Sequence, residues 1–227
     1  MITGTTMTTE MGELLGLLHL ASPALPIGGF AYSAGLESAI DLGWVDDEDS
    51  LEQWLAGALQ GLAHLDLPVL LRLYRALEQG DNDALAYWND FVRAGRETRE
   101  LLFEDEQQAR ALVRLLKGQG TEVAMLPAPP ALMSAWALAA RSWGLSAEGA
   151  ALGFAWSWLE NQLTVASKTL PLGQTAAQRL LLALKPALAG ALALAGELHD
   201  DQLGLSLPGQ VHASALHETQ YSRLFRS

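Results

Sequence analysis

The chain has 227 residues, half of them hydrophobic, enough to bury a sizeable core as one large domain or two small ones. Fourteen basic residues against 26 acidic ones (14 and 26 by count) leave a net charge of −12, which repels nucleic-acid phosphates and anionic membranes and disfavours both as general partners. No cysteine is present, which excludes disulfides, thiolate metal sites and cysteine nucleophiles and fits a reducing compartment.

Alanine and leucine dominate and β-branched residues are sparse, which favours helix over sheet. The opening "MITGTTMTTEMGE" lacks the basic and apolar regions of a secretory signal, so residues 1–13 read as a flexible lead-in and the chain as cytoplasmic. Leucines at 14, 15, 17, 18 and 20 predict a helix over Glu10 to Leu20, ended by Pro23. A second is expected from Ala31 to Leu42 with Gly43 as its stop, and a third opens at the acidic turn 46–49, where carboxylates favour the helix dipole. Asp66-Leu67-Pro68 reads as a cap and a first-turn proline. Asp81 or Asn82 caps a helix whose Leu85, Trp88, Phe91 and Val92 share one stripe, with a break expected near Gly95 before it runs on towards Lys117.

The stretch "KGQGTEVAMLPAPP" is a connector, too short to demand two independent cores. Helices follow from about Pro130 to Trp143, from Ser146 to about Ser167, and from Gln174, with Pro186 expected to kink or split the last. The apolar run Leu180 to Leu198 is interrupted by Lys185, Pro186, Gly190 and Gly196 and reads as a buried helix short of a membrane span. The fold expected is all-α: a single-domain helical bundle of about eight to ten helices over residues 14–210, followed by a tail over 211–227.

The loop "SPALPIGGFAYSAGLE" carries no phosphate signature: Gly28-Gly29 is followed by Phe30 and Ala31 with no lysine, and no strand precedes it. Its prolines stiffen the backbone and its glycines free it, as a shaped connector needs. Glu37 falls four residues after Ser33, on one helix face if the helix includes both. The five histidines form no i, i+3 or i, i+4 pair, so no helical two-histidine metal site is present and no metal ligand is assigned. In "RAGRETREL" Arg96 and Glu100 stand at i, i+4 and suggest a solvated helix face; Arg96 or Arg99 as an arginine finger on a partner's nucleotide is the competing reading. An all-helical enzyme with its own pocket is the third, and it lacks a nucleophile or metal signature. The terminal "HETQYSRLFRS" keeps Tyr221, Leu224 and Phe225 between arginines; as a helix it would set Tyr221 against Phe225, either packed on its own domain or docked on a partner.

Together "LASPALPIGGFAYSAGLE", "DLPVLLRLYRALEQGD", "RETREL", "KTLPLGQTAAQRLL" and "HETQYSRLFRS", in this order, resemble the UreF family of urease accessory proteins over nearly the whole chain from about Leu14. Ala31 and Ala34 stand where that family commonly has polar residues. The resemblance implies an all-helical homodimer that is not an enzyme. It would bridge UreD (also called UreH) and the GTPase UreG, gate that GTPase, and help pass Ni²⁺ to apo-urease. No cofactor of its own is implied; nickel is in transit, and GTP and Mg²⁺ belong to the partner. It places Pro26, Gly28, Gly29, Phe30, Tyr32, Ser33, Glu37 and Lys168 on the UreG side, and His217, Glu218, Tyr221, Arg223, Leu224, Phe225 and Arg226 on the UreD side. Interface cores favour aromatics, so Phe30 and Tyr32 are the expected anchors, with Glu37 at the rim.

Overall fold

The computed structural model describes residues 9–227, all of which lie in helices, turns and loops with no strand among them. Residues 1–8, most of the expected lead-in, fall outside the described residues, and helix α1 (Thr9–Leu20) already runs through 9–13. The bundle continues with α2 (Leu36–Asp41), α3 (Glu48–His64), α4 (Asp66–Gln79), α5 (Asn82–Ala94) and α6 (Arg99–Gly118). It closes with α7 (Leu132–Ser142), α8 (Ala147–Thr169), α9 (Gln174–Glu197) and α10 (Pro208–His217).

Several helix starts follow their capping chemistry. Asp47 and Ser50 form a reciprocal capping box on α3, Asp81 accepts from the Ala84 amide on α5, and Ser146 accepts from Gly149 on α8. Helix α7 is buried from Leu132 through Ala140, which makes it the inner rod against which α4, α6 and α8 pack. Asn89 fixes the approach to that rod: its Oδ1 accepts from the Ala131 amide at 2.7 Å and the Ser134 hydroxyl at 2.9 Å. Trp136 Nε1 donates to the Ala150 carbonyl at 3.0 Å and Tyr74 donates to the Leu145 carbonyl at 2.6 Å, so the buried polar ends of these large side chains are satisfied.

Three expectations are corrected here. Pro186 does not split α9, which is continuous from Gln174 to Glu197. By length and mean hydropathy (1.5) that helix does reach the range of a membrane span, yet it lies along α3 and α8 through Leu180, Leu184, Leu188, Ala191 and Ala195. Third, α10 begins at Pro208 and packs on α2 and α6, so the boundary expected at 210/211 falls inside a helix of the bundle.

Helix α1 rests on the turn between α7 and α8. Glu13 accepts from the Ser146 amide and hydroxyl, and the His19 and Trp143 rings stack 4.2 Å apart. A Cβ on Gly16 would stand 2.5 Å from Leu145 Cδ1 and 2.7 Å from the Trp143 carbonyl oxygen, and the second neighbour is backbone that cannot swing away. Gly16→Ala is therefore expected to cost about 2 kcal/mol in urea unfolding. An unchanged midpoint would mean that α1 does not sit on this turn.

Candidate functional site

The stiff loop and the C-terminal segment meet. After α1, the chain turns through Pro23 and Pro26, makes a short 3₁₀ turn at Gly29–Ala31 and reaches α2 only at Leu36. The helix expected from Ala31 is therefore replaced, up to Gly35, by loop. Ala34 (φ 50°) and Gly35 (φ 87°) both hold left-handed backbone, and a Cβ on Gly35 would come 3.1 Å from the Ser214 nitrogen and 3.2 Å from the Gln210 carbonyl of α10. Ser33 thus lies outside the helix, and the shared face expected for Ser33 and Glu37 is not formed.

The tail beyond His217 runs through turns and bends that pack on this loop, and it is not a helix. Arg226 N donates to the Ala31 carbonyl at 2.8 Å, and Ser33 donates through both its amide (2.8 Å) and its hydroxyl to the Ser227 backbone oxygen. Phe225 is buried while Tyr221 is fully exposed, which separates the two rings that a helix would have paired. Lys168, at the end of α8, lies over the Phe225 ring at 5.5 Å. Tyr32 is buried, its carbonyl accepting from Asn161 Nδ2 at 3.1 Å; burial pushes its phenol above the ordinary range, against the pull of Arg226 beside the hydroxyl.

At the centre is Glu37, buried and not at a rim. Its Oε1 accepts from the Leu224 amide at 2.7 Å and its Oε2 from the Phe225 amide at 3.0 Å, while His217 Nε2 lies 3.0 Å from Oε2. On the other side of the ring, His217 Nδ1 lies 2.7 Å from Glu100 Oε2, and Arg223 Nη1 donates to Glu100 Oε1 at 2.9 Å. The group Glu37–His217–Glu100–Arg223 ties α2, α6, α10 and the tail into one clasp. Glu100 and Arg223 in this role were not found from the sequence as a unit, because the residues bonded to His217 lie 117 and 180 positions away.

Among the residues expected to meet partners, the outward ones are Pro26, Phe30, Lys168, Tyr221, Arg223, Leu224 and Arg226. Phe30 is 66% exposed and Leu224 71%, large apolar surfaces left open by the described residues. Gly28 and Gly29 shape the turn beside Phe30, and Glu218 is half-buried behind the tail. Tyr32, Ser33, Glu37, His217 and Phe225 are buried, so they hold the face together from inside instead of lying on it. This corrects the expectation of Tyr32 as an anchor and Glu37 as an edge contact.

Beneath the loop lies a cavity of about 240 Å³, walled by Leu25, Ile27, Trp136, Phe154 and Trp158 and floored by Asp66, Arg96, Glu104 and Asp105. Arg96 Nη2 donates to Asp66 Oδ1 at 2.5 Å and to Asp105 Oδ1 at 3.0 Å. Burial opposes its charge, but the two aspartates hold the guanidinium above its usual range. The expected Arg96–Glu100 pair on a solvated face does not exist, and Asp66 is an ion-pair partner, not the cap of α4. Arg96 holds Asp66 and Asp105 through Nε and Nη2, so as a finger it would have to leave two buried carboxylates; Arg99, in the first turn of α6, is exposed. Among the described residues no group of three or more His, Asp or Glu side chains is set to hold a metal ion.

Glu104 receives Gln108 Nε2 at 2.9 Å and the Ser227 hydroxyl at 2.8 Å, and burial pushes its carboxyl up from 4.5 to about 7. A carboxyl raised on folding stabilises the fold below its unfolded value and loses that contribution as pH rises from about 4.5 to about 7. Glu104 keeps part of its surface on the cavity, so the effect is smaller than a sealed site would give. Glu104→Gln is expected to be more stable than the parent by about 2 kcal/mol at mildly alkaline pH and indistinguishable from it in acid. Urea titrations at the two pH values check this, and a pH-independent difference would contradict it.

The comparisons with known proteins agree on one family. The UreF family model matches residues 45–185. The urease accessory protein UreF of Chromohalobacter salexigens is 60% identical over 217 residues, covering 94% of each chain. Those of Teredinibacter turnerae and Hahella chejuensis are both 51% identical, over 218 and 217 residues, covering 95% and 94% of this chain and 99% and 98% of theirs.

Proposed function

The chain belongs to the UreF family of urease accessory proteins, and on that premise we propose that it matures urease as a docking scaffold with no turnover of its own. It joins UreD (UreH) to the GTPase UreG, gates the GTPase, and assists Ni²⁺ as cargo on its way to apo-urease. It acts in the cytoplasm as a homodimer. GTP and Mg²⁺ stay with the GTPase.

The observation that carries this reading is the clasped face. The loop holding Phe30 and the tail holding Tyr221 and Leu224 are locked together from within by Glu37 and His217, and they turn apolar side chains outward. Arg223, Arg226 and Lys168 surround them, a local positive rim on a chain of net charge −12. Exposed aromatic and aliphatic anchors with a charged rim are the anatomy of a protein interface and not of a catalytic cleft. On this reading the tail side meets UreD and the Phe30 side meets UreG.

Co-expression with UreD and UreG, followed by size-exclusion chromatography and a urease activation assay, tests the proposal. The expected result is one complex holding all three proteins, and a nickel-poor, inactive urease in cells lacking this chain. Fully nickel-loaded urease in those cells, or substrate turnover by the purified chain, would refute it.

A further inference from the structure

His217 is completely buried, and each of its ring nitrogens faces a carboxylate carried by a different helix. A carboxylate oxygen only accepts, and a neutral imidazole has only one N–H. With one proton, the ring would aim a lone pair at a carboxylate oxygen 2.7 or 3.0 Å away, in a place from which water is excluded. Glu37 has no free place for that proton, and on Glu100 Oε2 it would stay within the same 2.7 Å contact with Nδ1, so the group holds it either way. Both Glu37 oxygens accept tail amides, while the Glu100 oxygens face Arg223 and the ring.

Charge counting agrees. Glu37 and Glu100 are balanced by Arg223 and a doubly protonated ring, whereas a neutral ring leaves one buried negative charge without a counterpart.

We infer that the His217 imidazolium is a proton-operated latch: with both ring protons present the tail is seated on the α2 loop, and losing one releases it. The groups facing the ring are Glu37 from α2 and Glu100 from α6, with Arg223 of the tail reaching it through Glu100. Lys168, Arg226 and Glu104 act on the tail at other points, through Phe225, Tyr32 and Ser227. Helix α10 itself stays in place when the latch opens, because Thr98 and Ser214 bond at 2.7 Å independently of the ring and Gly35 packs tightly on it. The opening hinge therefore lies just after His217. The latch belongs to this chain whatever partner docks on the face.

The test uses the full chain with ¹⁵N-labelled histidine, the His217 signals being assigned by their loss in His217→Gln. At neutral pH both ring nitrogens of His217 should carry protons. In parallel, trypsin cleavage after Arg223 is measured relative to a free peptide of residues 217–227. At neutral pH this ratio should be about tenfold or more higher for His217→Gln, which cannot carry both ring protons, than for the parent. If His217→Gln does not fold, Glu100→Gln takes its place in the cleavage assay, with the same rise expected. A singly protonated ring at neutral pH, or a variant whose tail is as protected as the parent's, overturns the latch.

Discussion

Replacing Glu37 by alanine will release the tail and lower the stability of the whole chain by about 3–5 kcal/mol, the cost of removing one partner from a buried ion pair. Three donors lose their acceptor at once: the amides of Leu224 and Phe225 and the Nε2 side of His217. Each orphaned buried group costs about 1–3 kcal/mol, so the chain does better to let the tail swing out to water. Doing so exposes Phe225, whose burial contributes about 2 kcal/mol. The melting temperature should fall by about 6–12 °C, and trypsin should cut after Arg223 and Arg226 far faster than in the parent. Glu37→Gln keeps one acceptor oxygen and turns the other into an NH2 facing a donor, so its loss should be smaller than that of alanine but still about 1–3 kcal/mol. A Glu37→Ala protein with the parent's melting temperature and a protected tail would show that this carboxylate is not what seats the tail.

Arg96→Met is expected to be as damaging, about 3–5 kcal/mol by urea unfolding, for a related reason. The guanidinium bridges two buried aspartates, and without it Asp66 and Asp105 face each other across the cavity floor. Asp105 also accepts from the Leu132 amide, where α7 begins, so the disturbance reaches the inner rod of the bundle. Adding Asp66→Asn to Arg96→Met should recover part of the loss, because the repulsion goes with the charge, and a double-mutant cycle measures that coupling. If Arg96 were instead a finger presented to a partner's nucleotide, its removal would abolish GTPase stimulation and leave unfolding unchanged. That outcome would reverse the structural assignment.

The helices were legible wherever the signal is local. Apolar periodicity, the acidic turn that opens α3, the cap at Asp81, the start at Ser146 and the stop at Gly43 are written within one or two turns of chain, and the structure follows them. Pro186 misled because a proline inside a long helix removes one hydrogen bond, a loss that packing along α3 and α8 outweighs. Arg96 and Glu100 misled for a different reason. Their i, i+4 spacing allows a surface pair worth about 0.3–0.5 kcal/mol, and each found a stronger, buried partner on another helix. Spacing reports what a helix permits and is silent on what a bundle brings to it.

The candidate face was half legible. The proline-glycine loop and the aromatic tail each stood out as unusual, but nothing local says that they pack on one another. A histidine is read in sequence by looking for a second histidine nearby, and His217 has instead two glutamates from other helices. The same pairing explains why buried Glu37 and exposed Phe30, seven residues apart, serve the face in opposite ways. One locks it from inside, and the other is available to whatever docks.

Binding of UreG to the purified complex of this chain with UreD, by surface plasmon resonance or calorimetry, tests the docking face most directly. Phe30→Ala should weaken binding about tenfold, the loss of about 1.4 kcal/mol from one exposed anchor on the UreG side, with melting temperature and tail protection unchanged. Undiminished UreG affinity in the Phe30→Ala complex would contradict a docking face built on the loop.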